Sequence, residues 1–367
     1  MENKDYLKTQ LITYIGNKRK LLNFIENSIF NIKIKMNRDK LVMFDGFAGS
    51  GIVSRMMKQH SSKLISNDFE KYSYIINKSY LTNKNDIDYS YIQDKVKYLN
   101  ENKFTNRYGV GIIEKYYAPN ETHNIQIDER CFYTNENAKI IDNIRRLIDD
   151  EIDDEYKDIM ISLLLWKASV HNNTSGVFKG FYKSTKAKKG QFGGNAKNAL
   201  KRIMGEISLE NIVLSNYDCD CVVYQEDTNK LIYNLTDIDI TYYDPPYNQH
   251  PYGSNYHMLN TIYNYIEPKN ISKVAGIPTD WNRSSYNKSA AAKNSLKDLI
   301  KNTNSKYILL SYNNEGFISS DEIENILSKY GDVSLKKQDY NTFRGSRNLR
   351  KRNLKVQEML WILEKEL

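Results

Sequence analysis

The tightest constraint on the fold lies between residues 41 and 68, where a short apolar run, a glycine-rich turn, a helical stretch and a second strand-like segment follow one another. LVMFD has the length and character of a buried strand. GFAGSG behind it reads as a turn, IVSRMMKQH as a helix, and KLISND as a second strand ending on Asn67-Asp68. Strand, turn, helix, strand and terminal acid make a βαβ unit, which commits the chain to a parallel sheet covered by helices. Glycines in the turn let a ligand approach the backbone, and the helix start can face a polar or anionic group. The spacing departs from G-x-G-x-x-G, which disfavours a nicotinamide cofactor. Asp68 is placed to accept from a ribose diol, although capping the helix EKYSYIINKSYL would use the same position.

Upstream, the turn YIGNKRK leads into a helix with Leu21, Leu22, Phe24, Ile25 and Ile29 at helical spacing. Downstream, from Asn83 to Leu209, the strand-helix rhythm is lost. That stretch is polar and rich in Asn, Lys and Tyr, with helical segments AKIIDNIRRLI and YKDIMISLLLWKAS, and it runs into VFKGFYKSTKAKKGQFGGN. A structureless loop of this length inside a domain is improbable, so the stretch reads as an inserted region. The rhythm resumes with NIVLSNYD and DIDITYYDPPYN. SKYILLSYNN follows as a strand and DEIENILSKYG as a helix, and VSLKKQDYNTF with VQEMLWILEK can form a closing antiparallel pair.

Composition narrows the functional classes. Hydrophobic residues make up 40% of 367, enough for a substantial core, and no apolar run reaches the roughly 18 residues of a membrane helix. The polar start MENKDYLKTQ lacks a leader's apolar stretch, so a cytoplasmic location is expected. Cys131, Cys219 and Cys221 are too few for a disulfide framework, and no histidine stands at zinc-ligand spacing to them. They read as reduced thiols, with no metal site. The net charge of +8 is concentrated: Lys179 to Arg202 holds eight Lys/Arg and no acid, and Lys336 to Lys355 holds eight against Asp339. Two such strips suit a polyanion partner, or are simply solvated surface.

The most informative chemistry sits in Asp244-Pro245-Pro246-Tyr247, at the end of an apolar strand. An exocyclic amine on an aromatic base is a poor nucleophile because its lone pair is delocalised into the ring. Two acceptors set against its N–H bonds favour pyramidalisation and aim the lone pair. A carboxylate and a carbonyl stiffened by two prolines can do this, and an aromatic next in line can stack on the base. The base must first leave the duplex. A strand ended by a Pro-Pro turn needs no such chemistry, so four residues do not decide the matter.

Taken together, Tyr14-Ile15-Gly16-Asn17-Lys18, Phe44 to Gly51, Asp68 and Asp244 to Tyr247 resemble the Dam/FokI/DpnII-like DNA adenine N(6)-methyltransferases over almost the whole chain. The resemblance implies an α/β fold: a Rossmann-like S-adenosylmethionine-dependent methyltransferase core, residues 1–82 and 210–367. Into it residues 83–209 would be inserted as a largely helical target-recognition and DNA-binding region. That order of motifs is the family's alpha arrangement. S-adenosylmethionine, leaving as S-adenosylhomocysteine, would be held by Tyr14, Gly16, Lys18, Phe44, Asp45, Gly46, Gly49, Gly51, Asp68, Asp218 and Asp244. Asn17 stands where the family usually has a second glycine. Asp244, Pro245, Pro246 and Tyr247 would be the catalytic set. Double-stranded DNA is the expected partner, contacted by Lys179, Tyr182, Lys183, Asn255, Tyr256, Arg344 and Arg347. A monomer is expected, with a cognate restriction endonuclease as genetic partner. Asp244 argues against the Ser-Pro-Pro-Tyr of N(4)-cytosine enzymes and the Asn-Pro-Pro-Tyr of protein-glutamine or RNA enzymes. A DNA-binding protein without catalysis remains the alternative from another class.

Overall fold

The apolar runs read from the sequence become strands buried on both faces. A computed structural model describes residues 2–197, 199–341 and 355–366. β1 (Leu41–Asp45) pairs in parallel with β2 (Ser61–Asn67) on one side and with β4 (Ile238–Tyr243) on the other. β3 (Asp220–Tyr224) adds beyond β2, and β5 (Ser305–Asn313) beyond β4, all parallel. β6 (Gly331–Asn341) and β7 (Lys355–Lys365) close the sheet. β7 lies antiparallel against β5, and β6 antiparallel on the outer edge, giving the order β3-β2-β1-β4-β5-β7-β6.

Side-chain alternation explains how one sheet supports two cores. Leu41, Met43, Leu64, Tyr242, Leu309 and Leu360 point to the face covered by the helices Leu22–Met36 and Ile52–Lys58. Phe44, Ile65, Tyr243, Leu310 and Trp361 point to the other, covered by Ser289–Asn302 and Ser320–Leu327. Between β1 and β4 the strand order reverses direction. In parallel sheets such a point opens a crevice at the strands' carboxyl ends, and the loops carrying Gly46 to Gly51 and Asp244 to Tyr247 emerge there.

The expected elements form, with one displacement. NIVLSNYD contains no strand; the strand begins two residues after it, at Asp220. Ile212 and Leu214 are buried instead among the helices of the insertion. Within residues 83–209, Tyr89–Asn102, Asn135–Glu151 and Asp154–Val170 are helical. Their apolar faces merge with those of Lys71–Tyr80 and His257–Asn264 into one core, where Ile75 and Ile76 meet Leu163, Leu164 and Met258. The His257 ring nitrogen Nε2 bonds the Phe178 carbonyl at 2.9 Å across that junction. Among the described residues, no helix is long and apolar enough to cross a membrane.

Candidate active site

Two cavities meet at the crevice. One is a cleft lined by Tyr14, Phe47, Asp68, Glu70, Asp227, Asp244, Pro246 and Tyr252, among others. The other is a groove of about 1240 Å³ bordered by Asn17, Arg19, Lys20, Lys179, Tyr182, Arg202, Tyr247, Asn248 and Asn255. The cleft is acidic and the groove mainly basic, and both are lined by Tyr14 and Gly16. Asp244 and Pro246 face the cleft, while Tyr247 and Asn248 face the groove, so the four-residue loop forms the partition.

Asp244 is fixed from beneath by Lys18. The ammonium lies 2.9 Å from Oδ1 and 2.8 Å from Oδ2, and 3.4 Å from Oε1 of Glu358 on β7. Asn17 explains its departure from glycine: its side chain accepts from the Arg19 amide at 2.8 Å, capping the short helix that starts at Lys18. Burial works against the charge on Lys18, but Asp244 and Glu358 outweigh it and hold the ammonium well above its ordinary pKa. Burial also pushes Asp244 up to about 6, with Lys18 opposing and Glu358 adding to the rise.

Tyr14, Tyr252 and Tyr256 form a cluster of near-parallel rings, the Tyr14 centroid 5.0 Å from each of the others and those two 6.1 Å apart. The hydroxyl of Tyr256 accepts from the Ile15 amide at 2.8 Å, and that of Tyr252 donates to the Ile15 carbonyl at 3.1 Å. Gly49 takes the left-handed conformation at φ +53°, and a Cβ there would come within 2.7 Å of the Tyr14 ring. The glycine turn thus makes room for Tyr14 and not directly for a ligand. Asp68 accepts from the Gly49 amide at 2.7 Å and the Glu70 amide at 2.8 Å, so it organises two backbone segments while still lining the cleft. Phe44, Asp45, Gly46 and Gly51 lie behind the wall. Asp45 is fully buried, accepts from Ser54 Oγ at 2.6 Å, and is pushed up to about 7 by burial. Gly46 abuts Tyr243, and Gly51 abuts Asn77.

Two expectations need correction. Asp218 lies before β3, at the amino end of the strand, exposed and accepting from Asn85 at 2.6 Å. The cleft is at the carboxyl ends, so Asp218 is a strand's length away. Asp227, beyond the carboxyl end of β3, lines the cleft instead. Tyr256 is 1% exposed and holds Ile15, so it offers nothing to DNA. Asn255 is also buried, though it borders the groove. Lys179 and Tyr182 border the groove. Lys183 is exposed with its ammonium 5.0 Å from the Phe181 ring centroid. Arg344 and Arg347 lie outside the described residues. Besides Asp227, the sequence reading passed over Phe47, Glu70, Tyr252 and Glu358. Glu70 stands at the start of the helix Lys71–Tyr80, and Glu358 is one acid in a closing strand, so neither carries a local signal of a site.

The chain matches the family model of D12 class N6 adenine-specific DNA methyltransferases over residues 14–328, which contains the Tyr14 turn, the glycine loop and Asp244 to Tyr247. It belongs to that family. This adenine-specific DNA methyltransferase is 33% identical over 365 residues to the type II methyltransferase M.NlaIII of Neisseria lactamica, covering 96% of this chain and 99% of the relative. It is 29% identical over 339 residues to the type II methyltransferase M.CviAII of Paramecium bursaria Chlorella virus 1, covering 91% and 93%. It is also 29% identical over 331 residues to the type II methyltransferase M.FokI of Planomicrobium okeanokoites, covering 87% of this chain but 47% of that one. The family's reaction requires a methyl donor and acts on DNA. Among the described residues, no cluster of His, Cys, Asp or Glu could hold a metal ion.

Proposed function

We propose that this methyltransferase takes its methyl group from S-adenosylmethionine and acts on an adenine flipped out of double-stranded DNA. It would do so at one short sequence, as the modification partner of a restriction endonuclease. The observation that carries the reading is the position of Asp244, held on Lys18 at the junction of an acidic cleft and a basic groove. The cleft fits the donor: carboxylates of Asp68, Glu70, Asp227 and Asp244 suit a cation bearing hydroxyls, and Phe47 and Tyr252 give apolar walls. Asp68 and Asp227 would hold the hydroxyls, and Tyr14 and Lys18 would support the methionine end. When bound, the donor supplies a methyl group made electrophilic by its sulfonium sulfur.

The residues of the chain then have distinct tasks. Asp244 and the Pro245 carbonyl accept from the adenine amine and aim its lone pair, and the two prolines keep both acceptors from drifting. Tyr247 faces the groove, its ring edge-on to Tyr312 at 5.8 Å, and would stack on the flipped base. Lys179, Tyr182 and Lys183, with Arg19, Lys20 and Arg202 around the groove, would contact phosphates and bases. Residues 83–209 would carry target recognition. Similarity along nearly the whole length of two type II methyltransferases, at 33% and 29% identity, supports a restriction-modification role. The test is incubation of the purified enzyme with labelled S-adenosylmethionine and unmethylated DNA, beside Asp244→Ala, followed by nucleoside identification. N(6)-methyladenine from wild type alone is expected; methylcytosine, or equal label from the variant, overturns the reading.

A further inference from the structure

Glu358 is an acid in the middle of an apolar strand, flanked by Met359, Leu360 and Trp361, and only 1% exposed. On the ladder it faces Asn313 of β5 and Gln338 of β6. Oε1 accepts from Ser311 Oγ at 2.5 Å and lies 3.4 Å from Lys18 Nζ. Oε2 is buried with no hydrogen-bond partner among the described residues. Burying a carboxylate this deeply is costly, and packing alone would be served better by an apolar residue of the same volume. Two carboxylates sharing one ammonium give the group Asp244–Lys18–Glu358 a formal charge of −1.

We infer that Glu358 is a positioning residue for methyl transfer: it anchors Lys18 beneath Asp244 and supplies the negative charge that lets Asp244 take the amine's proton. The inference rests on the methyl-transfer reading above. As the N–C bond forms, the donor's methyl C–S bond would break, its electron pair going to sulfur to leave a neutral thioether, and the amine nitrogen becomes cationic. One N–H bond then breaks, an O–H bond forms on Asp244, and the buried group passes from −1 to neutral while Lys18 keeps its charge. Asp244 borders the cleft, so the proton leaves to solvent after the product departs. Without Glu358, the Asp244–Lys18 pair would be neutral beforehand, and protonating Asp244 would strand a buried cation. The other titratable groups facing Asp244 are Tyr242, Tyr247, Tyr252 and Asp45, with Asp68, Glu70 and Asp227 across the same cleft, where burial pushes Glu70 up to about 7. Burial keeps the three tyrosines neutral, whereas Asp45 titrates near Asp244, so a probe specific to Asp244 is needed.

The test compares wild type with Glu358→Gln and with Glu358→Met, an apolar side chain of similar length that guards against misfolding of the first. Two quantities are read: the pH profile of kcat on DNA, and the titration of the Asp244 carboxyl carbon. The second uses carbon-13 NMR in enzyme free of cofactor and DNA, assigned with Asp244→Asn. A plateau kcat lower by about tenfold, with the acid limb moved down by about one pH unit, is expected. The Asp244 resonance should move the same way, and Glu358→Asp, which keeps the charge, should leave both near wild type. Slower variants whose limb and resonance do not move would make Glu358 a packing residue and overturn the inference. Absence of methyladenine from wild type would instead overturn the methyl-transfer reading, and it is seen separately in the same assay.

Discussion

The Lys18 ammonium lies 2.9 Å from Oδ1 and 2.8 Å from Oδ2 of Asp244, joining residues 226 positions apart into one buried ion pair. The turn that opens the family motif and the loop that ends β4 are therefore a single device. Replacing Lys18 with Met leaves Asp244 and Glu358 facing each other without a cation, and breaking such a pair costs about 3 kcal/mol. Chemical denaturation of Lys18→Met should show a loss of that size.

The pH profile follows from the same contact. Asp244 must be ionised to accept from the amine, and burial places it at about 6, so wild-type activity should fall as pH drops through about 6. Lys18 opposes that rise, so its removal moves the acid limb to higher pH. Initial rates between pH 5 and 8 for wild type and Lys18→Met check the direction. A limb that stays in place would separate Lys18 from Asp244 in function.

Asp227 lines the cleft and Asp218, the acid expected there from the sequence, does not, and binding separates them. Asp227→Asn keeps the side-chain cap to the Asn229 amide but removes the charge at the cleft. Losing a charged hydrogen bond should weaken S-adenosylmethionine binding by about tenfold in calorimetry. Asp218→Asn, a strand's length away, should leave the affinity unchanged.

Tyr256→Phe deletes only the hydroxyl that accepts from Ile15, a loss of about 1 kcal/mol in stability. The Tyr14 turn loosens, so KM for the methyl donor should rise. DNA affinity at a fixed salt concentration should stay as in wild type, because the ring is sealed inside the protein.

Lys179 and Lys183 should behave in the opposite way. Each phosphate contact removed flattens the plot of log affinity against log salt by about 0.9. Fluorescence anisotropy with Lys179→Ala and Lys183→Ala, singly and together, measures the slope. Donor binding should not change, since neither residue reaches the cleft.

The legible part of the molecule is the part where local pattern and tertiary role coincide. β1 is a short apolar run because both faces of the sheet are covered, and β2 shows the same burial only in Leu64 and Ile65, one on each face. β3 escaped notice for a different reason. DCVVY is a half-buried edge strand whose short run Cys221 to Tyr224 stands directly behind Asp218 and Asp220, so NIVL, the longer apolar stretch just before it, draws the strand reading instead. Asp227 was hidden by an ordinary capping pattern that its side chain also fulfils. Tyr256 reads as a loop residue because the rings packed on it, Tyr14 and Tyr72, lie far away in sequence. Glu358 became visible only when β5 and the Lys18 turn were set beside β7, a juxtaposition no local window contains.

The shared core of residues 83–209 has an evolutionary consequence. Ile75, Ile76 and Met258 share one core with Leu163 and Leu164, so cutting the segment out would bare the flank of the helices Lys71–Tyr80 and His257–Asn264. If these residues carry target recognition as proposed, such a chain would not trade them as a cassette with a relative. New targets would then come from exchanging side chains around the groove, while the packing beneath stays as it is.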